Sequence, residues 1–140
     1  MLWFHPVFQA LATLVGLYVL WEGIKRSLAL HAKMRLRFQW RRHVFWGKVA
    51  CCIWFFGMLG GAGLARFFWS YSGLTEKHFY GALLMLPFLL IGYVTGHILD
   101  TRKKKRIVLP LFHGLNNLIL MGCAGWQLWT GYDVIMLFLL

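Results

Sequence analysis

Apolar residues fall into four long runs along the chain, each with a histidine at or near its start and a short polar connection after it. The runs cover about residues 4–24, 43–65, 78–99 and 110–130. Each is long enough to carry a helix across a bilayer core, which takes about 20 residues. The pattern predicts an all-α integral membrane protein, an up-down-up-down four-helix bundle forming a single domain over residues 1–140. Two of the three prolines, Pro6 and Pro110, stand at the beginning of a run. In a first helical turn its missing N–H leaves nothing unpaired. The tail from Val134 to Leu140 is apolar but too short to span. It extends helix four or lies at the interface.

The connections carry the charge. Residues 25–42 interleave Lys and Arg with Leu28, Leu30, Met34, Leu36, Phe38 and Trp40, a pattern that suits a short interfacial helix. The third connection holds five consecutive basic residues, 102–106. Of the 15 Lys and Arg, 13 lie in 25–48 and 102–106, and only Arg66 and Lys77 fall on the other side. By the positive-inside rule the basic connections face the cytoplasm and both termini lie outside, in the periplasm if the membrane is a bacterial inner membrane. The net charge of +11 therefore orients the chain in its bilayer and gives no reason to expect nucleic acid. A hydrophobic share of 60% with 14% charged residues suits a polytopic membrane protein. The first run lacks a basic leader and a small-x-small cleavage site, so it is expected to be retained.

Topology sorts the histidines by depth. His5 and His78 begin helices that start on the outer face, and His43 and His113 begin helices that start on the cytoplasmic face. Helices one and three share one diagonal of such a bundle, and helices two and four the other. With neighbouring axes about 8–10 Å apart, the diagonals measure roughly 12–14 Å. That distance lets two imidazoles meet at one metal ion from opposite sides, pairing His5 with His78 and His43 with His113. Small residues should then stand beside the pairs: Gly57, Gly60, Gly61, Gly63, Gly122 and Gly125 at the outer end, and Gly23, Gly92 and Gly96 at the inner end. Gly47 lies one turn below His43 and leaves room for a large group. Glycines also serve plain helix packing, and Gly57-x-x-x-Gly61 and Gly92-x-x-x-Gly96 match that motif.

His97 has nearly the depth of His43 and His113; it could replace one of them, donate to a cofactor carboxylate or line a quinone pocket. His31 lies in the basic connection and reads as solvated. Arg41, Arg42 and Lys77 flank the histidines and could pair with carboxylates of a bound cofactor. Asn116, Asn117 and Gln9 stand within about one turn of His113 or His5 and could orient a ligand. The plainer reading of all four histidines is that each anchors a helix end at the headgroups. Cys51, Cys52 and Cys123 form no metal-ligand spacing and no CxxCH motif, so they read as packing residues and any haem would be held without thioether links. Glu22, Glu76, Asp100 and Asp133 are the only acidic residues, and they form neither HExxH nor a di-iron set.

The segments His5-Pro6, His43-x-x-x-Gly47, His78-x-x-Gly81 and His113-Gly114-Leu115-Asn116-Asn117 resemble the transmembrane domain of the cytochrome b561 family and its small prokaryotic four-helix relatives. The likeness spans about residues 3–131. It implies two b haems on opposite membrane faces, the outer one ligated by His5 and His78 and the inner one by His43 and His113. It also implies electron transfer across the inner membrane, with a quinone or a redox protein as partner. No ascorbate site is recognisable, and the family has more spans in many members. A haem-free scaffold or assembly subunit is the alternative expectation.

Overall fold

The computed structural model describes residues 2–71, 73–138 and 140. They form four helices: α1 (Phe4–His31), α2 (Trp40–Trp69), α3 (Lys77–Thr101) and α4 (Val108–Phe138). All four are long and apolar enough to cross a membrane, which makes this a multi-pass membrane protein. At about 1.5 Å per residue they run roughly 38–47 Å, beyond the 30 Å hydrocarbon core on both sides. The surface facing out is apolar: Phe4, Leu14, Phe56, Tyr80, Leu111 and Trp129 are among the exposed side chains. In water such a surface would be a liability; against lipid tails it is the solvated face.

The helices extend further than their apolar runs. α1 continues through Lys25 and Arg26 to His31, because good helix formers follow and water satisfies the backbone outside the bilayer. It ends where Lys33 takes a left-handed φ of 53° and the Met34 N–H returns to the Leu28 carbonyl at 3.3 Å. The same carbonyl also accepts from the Ala32 N–H at 3.0 Å, so one oxygen closes the helix end with two bonds. The first connection is therefore only residues 32–39, and no separate interfacial helix forms there. Glu22, 2% exposed, spans this connection from α1. Its carboxylate accepts from the Gln39 backbone N–H at 3.0 Å and pairs with Lys25 at 2.5 Å, so it caps the start of α2 from a neighbouring helix. At the other end of the chain α4 absorbs the tail as far as Phe138; Leu139 lies outside the described residues.

α1 packs most extensively on α2, and α3 on α4; α1 with α4 and α2 with α3 make the two sparser seams. The molecule is thus two antiparallel hairpins laid together, with α1 facing α3 and α2 facing α4 across the diagonals. The core follows a spacing counted from the histidines. Seven residues after each histidine come Ala12, Ala50, Met85 and Leu120, and eleven after come Gly16, Trp54, Leu89 and Ala124, all buried. Since neighbouring helices run antiparallel, the seventh position of one lies level with the eleventh of the next. Each level then combines small and large side chains: Ala12 and Ala124 with Trp54 and Met85, and Gly16 and Ala50 with Leu89 and Leu120. Small residues facing large ones is how helices fill a core at close packing. Trp54 lies over Gly16, where a Cβ would come 2.6 Å from the indole, and its Nε1–H points at Thr13 Oγ1 at 3.4 Å.

Gly16→Leu is expected to destabilise the bundle by about 1–3 kcal/mol, the usual cost of overpacking, with Trp54→Phe in the same chain recovering part of the loss. Thermal unfolding in detergent, followed by circular dichroism, checks both. An unchanged midpoint for Gly16→Leu would mean that the indole is not fixed against α1.

Candidate functional site

Two histidine pairs form inside the bundle, one at each end. The ring centroids of His5 and His78 are 6.2 Å apart, and those of His43 and His113 are 6.3 Å apart. The ring planes cross at 89° and 75°, so neither pair is stacked. These are the pairings expected from the diagonals. No hydrogen bond joins the two rings of either pair among the described residues.

Each ring rests against a glycine of its hairpin partner. A Cβ on Gly61 would meet the His5 ring at 2.6 Å, one on Gly131 the His78 ring at 3.2 Å, one on Gly23 the His43 ring at 3.5 Å, and one on Gly96 the His113 ring at 3.1 Å. The nearest ring atom is Cε1 in all four cases. Within each helix the histidine and its glycine are 18 residues apart: His5 and Gly23, His43 and Gly61, His78 and Gly96, His113 and Gly131. Eighteen residues are five turns at 3.6 per turn, so both lie on one face. The antiparallel neighbour then sets its glycine level with the histidine. Gly131 went unnoticed in the sequence because the fourth apolar run ends at Thr130. Gly122 and Gly125, expected beside the outer pair, meet nothing within 4 Å and point away from it. Their offsets from His113, nine and twelve residues, put them on other faces of α4.

Hydrogen bonds fix the orientation of three rings. His43 Nδ1 lies 3.0 Å from the Val19 carbonyl oxygen, which can only accept. His43 therefore carries its proton on Nδ1, and Nε2 is left with a bare lone pair. His78 Nδ1 lies 3.0 Å from Thr130 Oγ1, and His113 Nδ1 lies 2.8 Å from Thr95 Oγ1. Both threonines donate their own hydroxyl proton within the helix, Thr130 to the Trp126 carbonyl at 3.1 Å and Thr95 to the Ile91 carbonyl at 2.7 Å. Each hydroxyl can then only accept from the imidazole, so His78 and His113 adopt the same tautomer. With the Nδ1 and Cε1 side of the ring turned to the hairpin partner, the Nε2 and Cδ2 edge is left free in His43 and His78, while His113 Nε2 has the Asn117 amide nitrogen 3.3 Å away.

His5 is the exception. Its Nδ1 is buried and makes no hydrogen bond. The backbone of Gly57 is close, yet off hydrogen-bond geometry. The position in α2 that matches Thr95 and Thr130 is Gly60, where a Cβ would meet nothing within 4 Å. A second buried polar atom without a partner, Gln127 Nε2, belongs to the same end. Gln127 lies over Gly81, and Gln9 lies over Gly57 while donating to the Ile53 carbonyl at 3.2 Å. An open, apolar groove of about 620 Å³ runs beside His5 between α1 and α2, with Phe8, Cys52, Phe56 and Gly60 among its walls.

The other residues singled out in the sequence divide. Asn117 donates to the His113 carbonyl at 2.7 Å and sets its amide nitrogen 3.2 and 3.3 Å from the two ring nitrogens. Asn116 is buried and ties α4 to the Phe88 carbonyl of α3 at 2.9 Å. A Cβ on Gly47 would meet the Val19 side chain at 3.5 Å, an ordinary contact, and no histidine ring within 4 Å. Arg41, Arg42 and Lys77 are exposed, and His97 is exposed on α3 and not turned to the inner pair. The basic residue at the inner pair is Arg26, whose guanidinium lies 5.3 Å from the Phe38 ring; Phe38 in turn packs on His43 at 5.4 Å. In sequence Arg26 looks like any other boundary charge. Cys51 and Cys123 pack against the core and Cys52 is exposed; all three are free thiols. No group of three or more His, Cys, Asp or Glu comes together among the described residues. No family model, curated protein or solved structure matches the chain.

Thr130→Val is expected to lower stability by about 0.6–1 kcal/mol, the worth of one buried hydrogen bond in a membrane bundle. Gly60→Thr should move the other way by a similar amount, since it would offer His5 the hydroxyl that His78 already has. Melting curves of both variants in one detergent provide the check, and a destabilised Gly60→Thr would show that the two hairpins are not equivalent at this position.

Proposed function

We propose that this chain is a membrane cytochrome that holds two b-type haems, one at each end of the bundle, and carries electrons across a bacterial inner membrane. The observation that carries this reading is the spacing of the histidine pairs. Two imidazoles bound to one ion from opposite sides, with about 2 Å from nitrogen to metal and about 1 Å more to each ring centre, have centroids about 6 Å apart. Both pairs have that separation, and three of the four rings are held through Nδ1, with Nε2 of His43 and His78 bare for a metal.

The donor set favours haem over a metal ion held by protein alone. Two imidazoles and no third ligand are too few for a closed tetrahedral site. They suffice where a macrocycle supplies the equatorial ligands. The partnerless His5 Nδ1 and Gln127 Nε2 sit where a further group would be received, and the glycines make room for the rings themselves. Bound haem would supply one-electron oxidation and reduction. The chain's own part is placement. Val19, Thr130 and Thr95 hold three rings by Nδ1, as carboxylates and carbonyls do for metal-bound histidines elsewhere. The apolar core between the two ends keeps water and protons out. A quinol or a redox protein would serve as donor or acceptor at either end. Histidines that merely anchored helix ends would turn to the headgroups, whereas these four turn inward to each other.

Detergent-purified protein from haem-replete cells should contain two b haems per chain, extractable by acid acetone. His43→Ala and His113→Ala should each remove one and the same haem, His5→Ala and His78→Ala the other, and His97→Ala neither. A colourless protein, or five variants that all keep both haems, would overturn the reading. The proposed orientation is tested separately by single cysteines introduced at Lys104 and Tyr71, both exposed, in a background without native cysteines. Only the second should react with an impermeant maleimide in intact cells.

A further inference from the structure

The two ends of the bundle differ in charge at the level of the histidines themselves. At the inner pair Arg26 stands on the Phe38 ring at 5.3 Å, and that ring packs on His43 at 5.4 Å, so the guanidinium lies within about 11 Å of the imidazole. Among the described residues no Lys or Arg is stacked in this way beside His5 or His78. The outer end has only Arg66, which donates to the Ser70 carbonyl of its own helix end, and the exposed Lys77.

Other charged groups at the inner end do not cancel Arg26. Glu22 reaches His43 as well, but it is held by Lys25 at 2.5 Å and by the Gln39 N–H. Asp100 is shared between Lys48 at 3.2 Å and Lys103 at 3.8 Å. Arg41, Arg42 and Arg102 to Lys105 lie exposed, where water and salt screen them. Arg26 is exposed too; what sets it apart is that Phe38 holds its guanidinium by stacking beside His43.

We propose that Arg26 makes the inner site the end at which a transferred electron rests. The inference depends on the dihaem reading above. An added electron makes a site more negative by one unit, and a nearby fixed cation stabilises that state. At about 11 Å, with the guanidinium exposed and an effective dielectric constant between about 20 and that of water, one charge favours it roughly two- to tenfold. When one electron is shared between the two sites, the outer is oxidised and the inner reduced, with no proton or third reagent needed. Arg26 is a tuning residue in this scheme: it touches neither imidazole and acts through the field it sets.

Potentiometric titration of the purified holoprotein tests this. The His78→Ala and His43→Ala proteins, each keeping one haem, assign the two midpoint potentials to their ends. The inner potential should be the higher. Arg26→Gln should lower it, shifting the electron's distribution roughly two- to tenfold toward the outer site, and should leave the outer potential in place. Arg26→Lys should preserve most of the effect, Phe38→Leu should lose part of it, and Arg41→Gln, an equal charge change at an exposed residue that is not stacked beside a histidine, should do little. An outer potential at or above the inner one, or an Arg26→Gln protein with two haems and unmoved potentials, would overturn the proposal alone. A preparation without haem would overturn it together with the dihaem reading.

Discussion

Each imidazole in this bundle occupies the space that a side chain would otherwise need on the helix beside it. That constraint organises the rest. A polar ring inside the bilayer must be received by a neighbour, because unpaired polar groups there cost several kcal/mol. A neighbour can receive it only where it has no Cβ and has an acceptor near at hand. Gly61, Gly131, Gly23 and Gly96 provide the space, and Val19, Thr130 and Thr95 provide three of the acceptors. Once the rings are seated, the register of each hairpin is set, since sliding one helix by a residue would turn a side chain into the ring.

Tight hairpins and looser seams between them follow from the same seating. The contacts that satisfy the imidazoles lie within α1 and α2 and within α3 and α4, whereas the two rings of a pair meet across the division. Anything bound between them would complete the join between halves that are otherwise held by the two central layers around Trp54, Met85, Leu89 and Leu120. Stability and ligand binding would then be coupled, since a group that binds only the assembled bundle stabilises it by mass action.

The four spans and the pairing of histidines could be read from the sequence because hydropathy and depth are one-dimensional properties of a membrane helix. What escaped was azimuth. Gly122 and Gly125 have the right depth for the outer site and the wrong face, while Gly131 has the right face and lay just beyond an apolar run. The 18-residue interval was present in all four helices, yet the residues between histidine and glycine share no identity that would advertise it. Ala12, Ala50, Met85 and Leu120 are equivalent only by position. Tertiary contacts from another helix, such as Glu22 on the Gln39 N–H or Arg26 over Phe38, have no local signature at all.

The common interval from histidine to glycine also limits how the protein can meet a bilayer of changed thickness. One residue added between them in a single helix would rotate its glycine by about 100° and lift it by 1.5 Å, taking it out from under its partner's ring. The four spans are therefore matched in length where it counts, and none can be stretched alone. A thicker or thinner membrane has to be accommodated by tilting the bundle as a whole or by deforming the lipid around it, at a modest cost per ångström of mismatch.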